Sequence, residues 1–322
     1  PQSDTPPYAR RVFAELPPPA SAASPLVNNY SRLVRVTNYR DKGDGKLDHN
    51  FPGRLRGFLR YSRSRADLFD EGAIPGIAGG GGNGSTRIPL GQAIGGVTWV
   101  LDPASLLEFR AGFSRSEAGK SPVLAGGASM QELLGVPGLP TDRRFTGGIT
   151  AIVVPGIYPP TFLGRQATYP QYQHPVVWNP KTNYSRTAGR HSLKTGIEFQ
   201  SVNIEQLDVN PILGRGVYFG LFREVPNFPV AATNPNLTAL VSLADFLPGA
   251  RSTCQIANPV IVNGRQRMWF AYLQDDCKAS SRLTLNLGLR YEYSTPYFER
   301  DNLLSNWDPQ SNAMISARPG SM

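Results

Sequence analysis

Apolar and polar residues alternate with a period of two along much of this chain, most cleanly in RLTLNLGLRYEY, Arg282 to Tyr293. Leu283, Leu285, Leu287, Leu289, Tyr291 and Tyr293 fall on one parity, and Thr284, Asn286, Gly288, Arg290 and Glu292 on the other. Such a period puts the two sets on opposite faces of an extended strand. The pattern recurs. Leu107, Phe109, Ala111 and Phe113 oppose Glu108, Arg110, Gly112 and Ser114. Leu193, Ile197 and Phe199 oppose Lys194, Gly196, Glu198 and Gln200, with Thr195 interrupting the apolar set. Leu55, Leu59 and Tyr61 oppose Arg56, Arg60 and Ser62, with Phe58 on the wrong side. Arg267 to Asp276 is ambiguous, because Trp269 and Phe270 fall on opposite faces. A strand of this kind suits either a half-buried sheet in water or a membrane barrel with leucines toward lipid and charges toward a wet lumen.

The connections separate these alternatives. Four hairpins are predicted: Lys46–Phe51 with Leu55–Arg65, Gln92–Leu101 with Leu106–Ser116, Lys181–Thr187 with His191–Glu205, and Arg267–Asp276 with the opening stretch. Their turns are short, of the usual hairpin length of ~2–5 residues. The segments between hairpins, Ala66 to about Gly91, Glu117 to about Pro180 and Gln206 to about Gln266, are much longer. Short turns at one end and long loops at the other are the mark of an outer-membrane barrel, not of a soluble sandwich. Length agrees, since Leu283 to Tyr293, rising ~3.3 Å per residue at a tilt of ~45°, spans about 25 Å. Tyr291, Tyr293 and Tyr297 sit toward the loop end, where an aromatic girdle is expected. The fold expected is all-β: a partial antiparallel transmembrane barrel of about eight strands over residues 28–322, after an irregular, Pro-rich lead-in over 1–27 with one short possible helix, Tyr8 to Leu16.

Composition sharpens this picture in a few places. Gly 33 and Pro 29 in 322 residues favour turns over helices. No run reaches the ~18 apolar residues of a transmembrane helix, which leaves barrel strands untouched. The net charge of +9 is scattered without a compact basic motif, so nucleic acid is not expected as a partner. Cys254 and Cys277 read as two unrelated thiols, with pairing left open. The chain begins PQSDTPP and ends ISARPGSM, and is expected to be an internal piece of a longer protein.

YLQDDCKASSRLTLNLGLRYEYSTPYFERDNLLSNWDP, Tyr272 to Pro309, resembles the barrel signature of the Oar-like TonB-dependent receptors. LDHNFPGRLRGFLRYS (Leu47–Ser62), LLEFRAGFSR (Leu106–Arg115), GRHSLKTGIEF (Gly189–Phe199) and LADFLPG (Leu243–Gly249) follow in the family's order. The resemblance runs from about Asn28 to Pro309 and departs at Cys277, where the family usually has Trp. It implies a receptor that binds a scarce solute outside the cell and passes it through a plugged barrel of about 22 strands. Its implied partners are outer-membrane lipid, the TonB energy-coupling complex acting through segments not in this sequence, and an unknown small solute, glycan or peptide.

Candidate chemistry is sparse. GGGGNGST, Gly79 to Thr86, nearly fits a phosphate loop but has Ser85 where Lys is required, and reads as an extracellular loop. DKGDGKLDHN, Asp41 to Asn50, has the flavour of a calcium loop, yet Gly43 and Gly45 stand where oxygen ligands belong, so a polar loop is expected. His49, His174 and His191 are isolated, and no metal, cofactor or enzymatic activity is expected. Four Asn-x-Ser/Thr sequons, at Asn29, Asn83, Asn183 and Asn236, read as chance. The candidate ligand contacts are the lumen-facing charges Arg56, Arg60, Glu108, Arg110, Lys194, Glu198, Arg290 and Glu292, whose bland alternative is lumen hydration or cross-strand pairing. A passive pore or adhesion barrel is the alternative function, followed by a soluble carbohydrate-binding sandwich in which Leu283, Leu285, Leu287 and Leu289 would be buried.

Overall fold

The computed structural model describes residues 6–19, 29–79, 84–155, 162–222 and 235–318. In chain order its elements are α1 (Pro7–Glu15), β1 (Val36–Phe51), β2 (Leu55–Asp70), β3 (Gly84–Asp102), β4 (Ser105–Ser116), β5 (Ala118–Ser121), α2 (Met130–Leu134), β6 (Ala151–Val153) and β7 (Phe162–Leu163). They continue with β8 (Gln171–Ala188), β9 (His191–Leu207), β10 (Arg215–Val217), α3 (Pro235–Phe246), β11 (Thr253–Gln255), β12 (Val262–Cys277), β13 (Leu285–Ser294), β14 (Phe298–Glu299), β15 (Ser305–Asp308) and β16 (Ala313–Ser316). Eight long strands form one antiparallel meander in the order β1-β2-β3-β4-β8-β9-β12-β13, with β5 and β14 attached at its loop end.

The turns β1–β2, β3–β4, β8–β9 and β12–β13 lie at one end of the sheet, and the three long connections at the other. Two of these turns have only two residues, Pro103-Ala104 and Gly189-Arg190. Gly189 sits at φ +61 with nothing within 4 Å of an added Cβ, so the left-handed backbone and not crowding calls for glycine there. Among the described residues no second sheet covers the leucine face. Leu285, Leu287 and Leu289 are 43%, 60% and 75% exposed, which removes the sandwich alternative.

Burial is concentrated in the long connections. They carry a four-stranded sheet, β11-β10-β6-β7, and helices α2 and α3. Ala9, Val12, Met130, Ile149, Ile152, Tyr218 and Phe246 form one core there. The proline-rich lead-in thus supplies α1 to this cap. Pro at its first turn suits the helix start. The rings of Tyr8, Phe13 and Tyr218 surround Phe246 at 6.2, 5.6 and 5.1 Å. Tyr8 Oη and Thr150 Oγ1 share a hydrogen bond of 2.7 Å. Helix α2 is held by a capping box, Ser129 with Glu132, and stops at left-handed Gly135.

Several sequence-based expectations change. The strands are longer than the alternation suggests: β1 starts at Val36, β8 at Gln171 and β12 at Val262. Ladder hydrogen bonds carry them past the point where one face stops being apolar. Asp41–Asn50 is no loop but the body of β1, because Asp44 finds Arg60 (2.9 Å) and Ser62 on β2. Of Gly79–Thr86, Gly84–Thr86 open β3 and residues 80–83 lie outside the described residues. Trp269 joins the leucine face while Phe270 crosses to the polar one, where the Arg290 guanidinium lies 5.8 Å over its ring. Phe58 is also on the polar face. Its ring occupies the space over Gly96, where an added Cβ would come within 2.7 Å, and Lys46 Nζ sits 5.5 Å above it.

Candidate functional site

The registers place all eight candidate charges on the face opposite the leucines. Six of them stand in two neighbouring cross-strand rows. One row reads Phe58, Gly96, Arg110, Lys181, Glu198, Phe270, Glu292. The next reads Arg56, Thr98, Glu108, Asn183, Gly196, Tyr272, Arg290. Arg60 lies farther toward the loops, opposite Lys46 and Ile94, and Lys194 nearer the turns, between Ser185 and Gln274.

Much of this charge is paired locally. Arg110 meets Glu108 at 3.3 Å, Arg290 bonds Glu292, and Asn179 Nδ2 donates to Glu198 Oε1 at 2.7 Å. Such half-exposed pairs contribute ~0–1 kcal/mol each to stability, so their placement is not explained by folding alone. Among the described residues Arg56, Lys181 and Lys194 make no ion pair. Tyr272 crosses to Asn183 Oδ1 (3.0 Å) over Gly196, whose absent Cβ would stand 2.6 Å from the Tyr272 ring. Lys181, Asn183, Phe270 and Tyr272 belong to the site and escape the alternation. On β8 the polar face carries odd-numbered residues, whereas the other long strands place even-numbered ones there. The two-residue turn Gly189-Arg190 was the available signal, since it pairs Ala188 with His191 and so reverses parity.

The leucine face carries aromatic clusters toward its loop end: Phe113 with Trp178 at 4.7 Å, and Trp269 with Phe199 at 5.4 Å and Tyr293 at 5.6 Å. Rings at this height above a leucine band are a membrane-interface girdle. The model of the outer membrane beta barrel domain family matches residues 1–321. The chain belongs to that family. No curated protein matches it in sequence. Among solved structures it is similar to the outer membrane transporter YddB of Escherichia coli, at 11% identity and TM-score 0.48, covering 82% of this chain and 29% of that one. It is also similar to the ferric-catecholate import receptor Fiu of E. coli K12, at 12% identity and TM-score 0.42, covering 81% and 37%. A third is FpvA of P. aeruginosa, solved with heterologous pyoverdines, at 11% identity and TM-score 0.24, covering 82% and 37%. The chain spans between 29% and 37% of the length of these structures.

The barrel lies in the outer membrane. Its short turns therefore face the periplasm and its folded cap the outside, with the polar rows lining the lumen between them. The cap holds a cavity of about 220 Å³ beside Ile74, Leu124, Gly148 and Arg165. Arg165 is buried, and burial lowers its pKa to about 10. Its guanidinium donates to the carbonyls of Phe145 (2.6 Å), Gly147 (3.2 Å) and Tyr169, which occupies four of its five N–H groups. The cavity is below the usual ~300–1,000 Å³ of ligand pockets, and its one cation is committed to structure. The lumen rows are the better candidate. Among the described residues no group of three or more His, Cys, Asp or Glu side chains is placed to hold a metal ion, and both cysteines are free.

Proposed function

We propose that this barrel is part of an Oar-like, TonB-dependent receptor that binds a scarce solute under its extracellular cap and imports it through the lumen. The reading rests on the two lumen rows beneath a folded cap, whose charges stability does not require. The resemblance of Tyr272–Pro309 supports the receptor class and, with it, coupling to the TonB complex through other segments of the whole protein. The free cations Arg56, Lys181 and Lys194 favour a solute carrying carboxylate or phosphate groups, because they offer charge-assisted hydrogen-bond donors that no carboxylate among the described residues occupies. The test is uptake of anionic siderophore chelates, acidic oligosaccharides and acidic peptides by cells carrying the intact gene. Uptake that stops when an uncoupler collapses the proton gradient supports the reading. Uptake that continues unchanged makes the barrel a passive pore.

A further inference from the structure

Three side chains meet at the periplasmic rim on the lipid-facing side of the sheet, away from the lumen rows. Cys277 is the last residue of β12 and His191 the first of β9, and the two are directly opposite in register. Asp275, two residues back on β12, reaches the same ring. His191 Nδ1 lies 2.6 Å from Asp275 Oδ2, and His191 Nε2 lies 3.9 Å from Cys277 Sγ. The other carboxylate oxygen, Oδ1, is buried and makes no hydrogen bond. The carboxylate is thus committed to the imidazole. A carboxylate on Nδ1 holds the proton there and turns the Nε2 lone pair toward the sulfur. Nucleophile, base and orienting group stand in that order, as an activated thiol requires.

We propose that Cys277, His191 and Asp275 form a nucleophilic thiol site that carries out thiol–disulfide exchange with disulfides at the periplasmic rim. The compartment is oxidising, so disulfides are the electrophile at hand. Acyl transfer fits less well. It needs free backbone donors for an oxyanion, and the nearest, the Lys278 N–H, is occupied by Arg190 O at 2.8 Å. In the exchange the Cys277 sulfur attacks one sulfur of R–S–S–R as its proton passes to His191 Nε2. The new bond is Cys277–S–S–R, the old S–S bond breaks, and its electron pair leaves with RS⁻, which takes the proton back from the imidazolium. Cys277 is oxidised and one R–S group reduced. The second thiol, Cys254, cannot resolve this mixed disulfide. It lies in the cap, beyond the far end of the 16-residue β12, a separation on the order of 50 Å.

The test uses the full chain with Cys254→Ser in detergent micelles and dithiodipyridine as the disulfide, following thiopyridone release at neutral pH. An ordinary thiol is only a few per cent ionised there, which caps help from a base at ~30-fold. His191→Asn is expected to slow release by about tenfold, and added imidazole to restore much of the loss in His191→Ala. Asp275 is a positioning residue, so Asp275→Asn slows release too, but adds nothing in the His191→Asn background. Circular dichroism confirms that each variant keeps its sheet. A His191→Asn rate within about threefold of the parent, or no rescue by imidazole in His191→Ala, overturns the proposal.

Discussion

Replacing Leu289 with Arg tests which face of β13 meets lipid. Leu289 lies four residues from Leu285 at the turn end and four from Tyr293 in the girdle. At ~3.3 Å per residue and ~45° tilt it is about 9 Å deep from either side, near the bilayer midplane. Arginine on the lipid face costs ~2–4 kcal/mol at that depth and ~0–1 near the interface. Leu289→Arg should therefore lower the folding equilibrium by roughly 30- to 700-fold. Asn286→Arg, on the opposite face, and Leu285→Arg, near the rim, should each cost about 1 kcal/mol or less. The assay is urea unfolding of the intact protein in phospholipid vesicles, comparing midpoints at constant slope. If Leu289→Arg costs no more than Asn286→Arg, the face assignment is wrong for β13 and, through the registers, for the neighbouring strands.

Single cysteines at Leu287 and Leu289, in a background without Cys254 and Cys277, should react with lipid-phase and not water-phase thiol reagents; strong water-phase labelling would sink the lipid assignment. Gly196→Val should destabilise by ~1–3 kcal/mol, read in the same urea assay, because its Cβ would fall 2.5 Å from Asn183 Oδ1 and 2.8 Å from the Thr182 carbonyl. Burial pushes the Tyr8 phenol up to about 12 from an ordinary value of 10. Between those values the unfolded chain loses the proton first, so the contribution of Tyr8 to cap stability is fully present below pH 10 and is lost as pH climbs toward 12; Tyr8→Phe should make cap proteolysis rise less steeply with pH over that window. Arg110→Gln with Arg290→Gln should leave stability within about 1 kcal/mol by urea unfolding yet reduce uptake of an anionic solute.

The alternation of apolar and polar residues determined a great deal unaided. It marked the strands, the two faces and the four short turns, because a period of two is a local property of an extended chain. Even the lumen-facing set from Arg56 to Glu292 follows from it, since a one-residue slip would turn every leucine to the wrong face and the alternation therefore specifies the register. The tertiary structure decided what depends on neighbours. Phe58 and Phe270 break the pattern, and only the adjoining strands show why, through the space over Gly96 and the guanidinium of Arg290. The parity of β8, and with it Lys181 and Asn183, turned on one two-residue turn. The cap was hidden because its core is gathered from residues as distant as Val12, Met130 and Phe246, none of which carries a periodic signature. The Cys277–His191 contact joins residues 86 apart in sequence. No spacing rule could bring them together; the register of β9 against β12 did.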